Sequence, residues 1–141
     1  MRFYLDTNIL IYLLRAERDE LCPDVLSVIS NYESIMLTST VCVQELIHLF
    51  QIGKITISKR NRDTDLAKVP EWLDDLGIRI VPVGVPHLQR LAGLPMFDDH
   101  RDPNDRLIVA QAISDRVPLI SSDRKFERYR NYGLDFIFNE R

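Results

Sequence analysis

The chain has 141 residues, 45% of them hydrophobic and 28% charged, with a formal net charge of −3. This length predicts a single domain over residues 1–141, with a core large enough to fold without disulfide bonds. The abundant aliphatic residues exclude a disordered chain, and no apolar run reaches the ~18 residues of a membrane span. The apolar N-terminal stretch contains Asp6 and Asn8, so we do not expect a signal peptide.

The first half of the chain alternates apolar runs typical of buried strands with stretches of helical periodicity. Strands are predicted at RFYLD (2–6) and SIMLTS (34–39). Helices are predicted from Asn8 to Leu14, from Pro23 to about Tyr32, and from Thr40 to Ile52, where Gly53 ends the helix. The charged stretch KITISKRNRDTD (54–65) predicts a loop.

The second half continues the alternation. Short helices are predicted around Pro70 to Leu76 and at PHLQRLAG (86–93), and a longer one from Asp102-Pro103 to Asp115. A helical turn or two is predicted from Asp123 to Tyr129, and strands at IRIVPV (78–83), VPLISS (117–122) and LDFIF (134–138). This order predicts an α/β fold, a three-layer α/β/α sandwich with a mainly parallel sheet of about five strands.

Four carboxylates from four separate segments are predicted at one edge of this sheet. Right-handed crossovers place the carboxyl ends of parallel strands at the same edge, where ligands bind. Asp6 ends the first strand, and Asp123 follows the strand VPLISS. Asp105 lies in the first turn of the helix before that strand, and Glu45 lies about one turn into the helix after SIMLTS.

Three of these acids also have an ordinary structural interpretation. Asp6 and Asp123 could each begin the helix that follows them. Asp102 could be the N-cap of its helix, with Pro103 in the first turn and Asp105 where a negative charge suits the helix dipole. Taken one at a time, the positions of these aspartates do not show whether each is a helix cap or part of a functional site.

Glu45 could be a glutamate at the edge of the surface, but its neighbours on the helical wheel are Val41, Leu49 and Ile52. A carboxylate on an apolar surface is partly desolvated and needs a cation or a hydrogen-bond donor. Several carboxylates in one pocket would also repel one another, and a divalent cation removes that conflict. Oxygen ligands without cysteine or clustered histidine suit Mg²⁺ or Mn²⁺, and such a site hydrolyses phosphodiesters.

Four segments together resemble a known family. They are FYLDTNILIYLL, STVCVQELIHLF, HRDPNDRLIVAQA and LISSDRKFERY. In this order and spacing they resemble the PIN-domain nucleases, and specifically the VapC-like toxins of toxin–antitoxin pairs. The most specific segment is Asp-Pro-x-Asp-Arg running into an alanine-rich helix, and the resemblance covers nearly the whole chain.

The resemblance implies a metal-dependent endoribonuclease that holds Mg²⁺ or Mn²⁺ and cuts RNA to leave a 5′ phosphate. It implies that the catalytic and metal-binding residues are Asp6, Glu45, Asp105 and Asp123. It implies that the accessory residues are Thr7, Asn8, Asp102 and Ser121. It further implies a homodimer and a small cognate antitoxin protein as partner. The general base is left open between Asp105 and Asp123.

Weaker signals surround the acids. RNA phosphates could be contacted by Arg101, Arg106, Arg124 and Lys125, or by further basic residues at Lys54, Lys59, Arg60, Arg62, Arg128 and Arg130. All of these could equally form a solvated surface. His100 could donate a proton to a leaving group or be a simple loop residue. Asn104 departs from the family, where an aromatic residue is common, and we expect this position to pack under the start of its helix.

Two other interpretations stay open at this stage. The chain could be a non-catalytic module that binds RNA or protein, or a stand-alone RNA-processing nuclease without an antitoxin. A phosphatase of another parallel-sheet fold is disfavoured, because it needs a second aspartate at the position of Asn8. Cys22 and Cys42 lack a CxxC spacing, which is typical of reduced thiols and predicts a cytoplasmic location.

Overall fold

The structure is a computed structural model that describes residues 1–56 and 65–141. Most of the loop predicted at 54–65 lies outside the described residues, and so do its basic residues Lys59, Arg60 and Arg62. Among the described residues, no helix has both the length and the apolar character needed to cross a bilayer.

Within the part of the chain that the structure describes, five parallel strands form one sheet in the order β3-β2-β1-β4-β5. Their bounds are β1 Arg2–Leu5, β2 Ile35–Ser39, β3 Ile78–Val81, β4 Leu119–Ser121 and β5 Phe136–Phe138. Each of the five coincides with a predicted apolar run. The prediction of a parallel sheet of about five strands is therefore confirmed.

In residues 1–56 and 65–141, six α-helices and three 3₁₀ helices accompany the strands. The α-helices are α1 Thr7–Leu14, α2 Pro23–Ser30, α3 Thr40–Gln51, α4 Val69–Asp75, α5 Val85–Ala92 and α6 Pro103–Asp115. The 3₁₀ helices are Arg18–Glu20, Leu66–Lys68 and Arg124–Tyr132. The helical turn predicted after Asp123 is thus a longer element of 3₁₀ type.

The core is built around β1, which has a neighbour on each side. Tyr4 is paired with Leu37 of β2 and with Leu119 of β4. Leu5 and Leu119 have no exposed surface, as expected for parallel strands covered on both faces. Full burial of a leucine side chain contributes about 1.5–3 kcal/mol, so the middle of the sheet is its most stable part.

The strand order places a topological switch point between β1 and β4. The chain runs outward from β1 through β2 to β3, and then returns to add β4 and β5 on the other side of β1. Right-handed crossovers in these two directions put helices on both faces of the sheet. Ligands of open parallel sheets bind beyond the carboxyl ends of the strands at such a point. Here those ends lead into Asp6 and Ser121.

A buried polar network fastens α5 and α6 to the sheet. The Tyr4 hydroxyl donates a hydrogen bond to Asp115 at the end of α6. Nε2 of His87 lies 2.8 Å from the other carboxylate oxygen of Asp115. Gln111 donates from its amide to the Tyr4 hydroxyl at 3.2 Å and to the Val81 carbonyl at 3.2 Å.

Candidate active site

The four predicted acids lie around one pocket of about 260 Å³ at the carboxyl edge of the sheet. This acid pocket is lined by Asp6, Thr7, Asn8, Ile11, Glu45, Leu49, Asp105 and Asp123. The structure therefore brings together side chains that are up to 117 positions apart in the sequence (6 to 123). Two of the four predicted accessory residues, Thr7 and Asn8, also line it.

Asp6 is the N-cap of α1 and also lines the acid pocket, so its role as a helix cap does not exclude a role in the pocket. Its Oδ1 accepts a hydrogen bond of 2.8 Å from the Thr7 backbone N–H. Its Oδ2 accepts one of 2.7 Å from the hydroxyl of Ser121. Only 6% of the residue is exposed, and these donors fix the plane of the carboxylate.

Asn8 and Ser121 connect the start of α1 to the end of β4. The Asn8 side-chain amide donates to the Ser121 hydroxyl at 3.1 Å, and its carbonyl accepts from the Ser122 N–H at 3.2 Å. The Ser121 hydroxyl oxygen also accepts from the Asp123 N–H at 3.1 Å. These bonds hold Asp6 and Asp123 on one rigid framework.

Glu45 lies half-buried on α3 and receives a hydrogen bond from across the acid pocket. The Thr7 hydroxyl donates to Oε2 of Glu45 at 3.1 Å. Burial raises the pKa of the Glu45 carboxyl, and the negative charge of Asp102 adds to the rise. The hydrogen bond from Thr7 acts in the opposite direction. Glu45 is thus a partly desolvated acid, as its apolar neighbours in the sequence predict.

Asp102 caps α6 and holds Asp105 at the acid pocket. Oδ1 of Asp102 accepts from the backbone N–H groups of Asn104 at 2.8 Å and Asp105 at 3.4 Å. Asp102 itself is exposed and does not line the pocket. Burial raises the pKa of Asp105 to about 7, and the negative charges of Asp6 and Asp102 contribute to the rise.

Asp123 begins the 3₁₀ helix Arg124–Tyr132, where its Oδ1 accepts from the Lys125 N–H at 2.9 Å. The carboxylate also faces the acid pocket. Ligand atoms of Asp123, Asp105 and His100 all lie within 4.8 Å of one another. This group of side chains is therefore close enough to share one metal ion.

The acid pocket gathers several carboxylates whose charges raise one another's pKa. Burial raises the pKa of Asp6 to about 6, and the nearby charges of Glu45 and Asp123 add to that rise. Within residues 1–56 and 65–141, no lysine or arginine forms an ion pair with any of the four acids. Clustered carboxylates without cations fit a divalent metal ion, which would lower each of these pKa values.

His100 is the candidate residue whose environment was predicted least well from the sequence. It is 3% exposed, and its ring contacts the rings of Phe126 and Tyr129 edge-on. Its Nδ1 lies 2.7 Å from the Tyr129 hydroxyl, and its Nε2 lies 3.7 Å from Oδ2 of Asp105. Burial lowers the pKa of the imidazole. The only sequence signal was its position two residues before Asp102.

The four predicted RNA-binding residues occupy different environments. The Arg101 side chain is exposed and lies 3.4 Å from Asp98. Arg106 donates instead to the carbonyl oxygens of Leu94 and Pro95, at 3.1 and 3.3 Å. Its guanidinium therefore braces the segment before α6, and an RNA contact from it stays a prediction.

The other two basic residues follow Asp123. Arg124 is exposed, with its guanidinium 4.6 Å from the centre of the Phe138 ring. The Lys125 ammonium donates to the Asp99 carbonyl at 3.2 Å. Both are exposed, and the Arg124 guanidinium also lies 4.0 Å from Glu140, so an RNA contact from either residue stays a prediction.

Asn104 does not pack under the start of α6, so that expectation is wrong. The residue is exposed at the first turn of α6 and faces a groove of about 690 Å³. This groove shares Glu45 with the acid pocket, and its other lining residues come mainly from α3, including Gln44 and His48. A polar side chain suits this position because it faces solvent.

The family model for the PIN domain matches residues 3–132. The chain belongs to the PIN domain family. The resemblance seen in its four sequence segments is thereby confirmed, and the acid pocket lies within the matched region. In a sequence comparison, no curated protein matches this PIN domain.

Solved structures of VapBC proteins share the fold of this PIN domain. VapBC2 from Rickettsia felis, bound to a DNA fragment from its promoter, gives a TM-score of 0.65 at 19% identity, covering 99% of this chain and 100% of that one. VapBC-1 from nontypeable Haemophilus influenzae gives 0.63 at 20% identity, covering 98% of each. VapBC-5, of a toxin–antitoxin family in Mycobacterium tuberculosis, gives 0.56 at 21% identity, covering 99% and 98%.

Proposed function

We propose that the chain is a metal-dependent endoribonuclease and the toxin of a toxin–antitoxin pair, with residues 1–141 acting as one domain. The observation that carries the proposal is a single pocket lined by Asp6, Glu45, Asp105 and Asp123. Membership of the PIN family and the likeness to VapBC structures support the same function.

In this proposal the four acids hold Mg²⁺ or Mn²⁺ through carboxylate oxygens. When bound, the cation activates a water molecule and neutralises charge on the scissile phosphate. Ser121 and the Thr7 N–H keep the Asp6 carboxylate in one orientation, and the Thr7 hydroxyl does the same for Glu45. Asn8 keeps Ser121 in place. These neutral donors orient the acids without cancelling the charge that attracts a cation.

The RNA follows the groove that meets the acid pocket at Glu45. Gln44, His48 and Asn104 offer hydrogen-bonding groups along this groove. On the Asp123 side, Arg101, Arg124 and Lys125 add positive charge on exposed surface. Contacts of basic side chains with phosphates release counterions, so RNA binding is expected to weaken as salt rises.

The protein is further proposed to form a homodimer, to act in the cytoplasm, and to be held inactive by a small cognate antitoxin. The VapBC assemblies that share its fold support this partner. Co-purification of the chain with the product of a neighbouring short reading frame tests the antitoxin complex. Light scattering of the purified chain tests the homodimer. A lone gene whose overexpression is harmless favours a stand-alone RNA-processing nuclease instead.

Cleavage of tRNA and ribosomal RNA by the purified chain tests the activity. We expect cutting in Mg²⁺ or Mn²⁺, loss of cutting in EDTA, and 5′ phosphates on the products. Asp6→Asn and Glu45→Gln remove one charge each with little change in shape, and both are expected to abolish cleavage. Asp74→Asn is the matched control, because Asp74 is exposed on α4. Equal cleavage by all four proteins rejects the proposal, and RNA binding without Mn²⁺ binding favours a non-catalytic module.

A further inference from the structure

His100 has an unpaired nitrogen next to Asp105, one of the acids that line the pocket. Its Nε2 is buried and has no hydrogen-bond partner among the described residues. The nearest acid is Asp105, whose Oδ2 is 3.7 Å away, which is too far for a hydrogen bond. Buried polar atoms are nearly always paired, so an exception beside a group of carboxylates calls for a physical explanation.

The other nitrogen of the ring explains how Nε2 is oriented. Nδ1 lies 2.7 Å from the Tyr129 hydroxyl. With the Nδ1 proton donated to that hydroxyl, Nε2 carries a lone pair and lies 3.7 Å from Oδ2 of Asp105. The rings of Phe126 and Tyr129 hold the imidazole edge-on, which leaves it little freedom to rotate. Metal-binding histidines are positioned in this way, with the second nitrogen bonded to a neighbouring group.

The spacing of the three side chains suits one cation. Ligand atoms of His100, Asp105 and Asp123 lie within 4.8 Å of one another. Two ligands on opposite sides of an ion, each at about 2.1 Å, are about 4.2 Å apart. The separation of 3.7 Å between His100 and Asp105 falls below that limit, and the bound of 4.8 Å for the whole group exceeds it by less than 1 Å, which rotation of the Asp105 and Asp123 side chains can close.

We propose that His100 is a nitrogen ligand of the cation held by Asp105 and Asp123, and that it makes the site prefer Mn²⁺ to Mg²⁺. The inference rests on the metal site of the proposed function. Mg²⁺ takes oxygen ligands in proteins, whereas imidazole suits first-row transition metals. Tyr129 is a positioning residue, because its hydroxyl contacts Nδ1 and not the nitrogen proposed as the ligand.

Pulsed EPR of the Mn²⁺-loaded protein tests the ligand directly, since a bound imidazole couples its ¹⁴N nucleus to the electron spin. We expect this coupling in the unaltered chain and in Gln89→Leu, a control that introduces the same residue at an exposed position of α5. We expect it to be absent in His100→Leu. Calorimetry should show Mn²⁺ binding about 10–100-fold weaker in His100→Leu, with Mg²⁺ binding nearly unchanged.

Tyr129→Phe separates positioning from ligation. The ring is retained, so the ¹⁴N coupling should persist while Mn²⁺ binding weakens by about 10-fold. Bound Mn²⁺ without nitrogen coupling in the unaltered chain overturns the assignment of His100 and leaves the ribonuclease proposal intact. Failure of the chain to bind Mn²⁺ at all overturns both. Because the decisive spectrum comes from the unaltered chain, misfolding of a variant does not decide the outcome.

Discussion

The hydroxyl of Ser121 donates a 2.7 Å hydrogen bond to Oδ2 of Asp6, joining residues 115 positions apart in the sequence. Ser121 is fully buried at the end of β4, and Asp6 follows the neighbouring strand β1. The bond therefore crosses the switch point of the sheet and fixes the most buried acid of the pocket.

Ser121→Ala is expected to impair the site without unfolding the protein. The change removes one donor from a buried carboxylate and leaves Asp6 with the Thr7 N–H and the more distant Asn8 amide. Loss of such an orienting group lowers metal affinity or activity by about 10–100-fold. Calorimetric titration with Mn²⁺ measures the effect. Ser30→Ala, at an exposed position of α2, should bind Mn²⁺ like the unaltered chain, and equal affinity in both variants contradicts this role of Ser121.

The stability of the metal-free protein should fall as pH rises from about 4 to about 7. The pKa of Asp105 is raised from 3.8 to about 7, and that of Asp6 to about 6. Within this range these two carboxyls bind more protons in the folded state than in the unfolded state, so their titration favours unfolding as the pH rises. The lowered pKa of His100 acts in the opposite direction and makes the slope smaller. Urea unfolding in EDTA at several pH values measures the slope.

Asp105→Asn tests whether Asp105 contributes to this pH dependence, because an asparagine side chain cannot ionise. The pH slope should become shallower in this variant, and the variant should gain stability relative to the unaltered chain as pH increases. Identical slopes in the two proteins would show that Asp105 does not titrate in this range.

Glu45→Gln should raise the stability of the metal-free protein while weakening its binding of metal. Without metal, the variant is expected to be more stable than the unaltered chain near neutral pH, because a partly desolvated negative charge is removed. A cation present at 100 times its dissociation constant stabilises the unaltered chain by about 2.7 kcal/mol, or roughly 5–10 °C in Tm. Glu45→Gln should show little of this increase. Thermal unfolding with and without Mn²⁺ measures both effects, and equal increases contradict the role of Glu45 as a ligand.

Asn104→Phe should change the free energy of unfolding by less than about 0.5 kcal/mol, because the residue is exposed. The added ring would project into the groove beside Glu45 and is expected to weaken RNA binding. Urea unfolding and a filter-binding assay measure the two effects. A gain of more than about 1 kcal/mol would show that an aromatic residue packs there after all.

The architecture was predictable because it depends on short-range patterns. Apolar runs of strand length alternate with helical periodicity, and this alternation restricts the chain to a parallel sheet. The convergence of the acids follows from the same rule, since Asp6 and Asp123 each come after a strand. The caps at Asp6 and Asp102 were predictable because capping depends on the residue and its immediate neighbours.

The position of His100 was not predictable, because its burial depends on Phe126 and Tyr129, which belong to a distant segment. The hydrogen-bond partners of the basic residues could not be predicted for a similar reason. Arg106 is adjacent in sequence to Asp105, yet its guanidinium bonds to Leu94 and Pro95. Side-chain partners of this kind are decided by tertiary packing, which a single sequence does not specify.

The pairing of β1 with β4 also has a consequence for protein synthesis. Asp6 is synthesised 115 residues before Ser121 and 117 residues before Asp123. A nascent chain that has not yet reached Ser121 therefore lacks part of the acid pocket. For the ribonuclease proposed here, this order of synthesis delays activity against the translating ribosome and its tRNAs until these residues have been added.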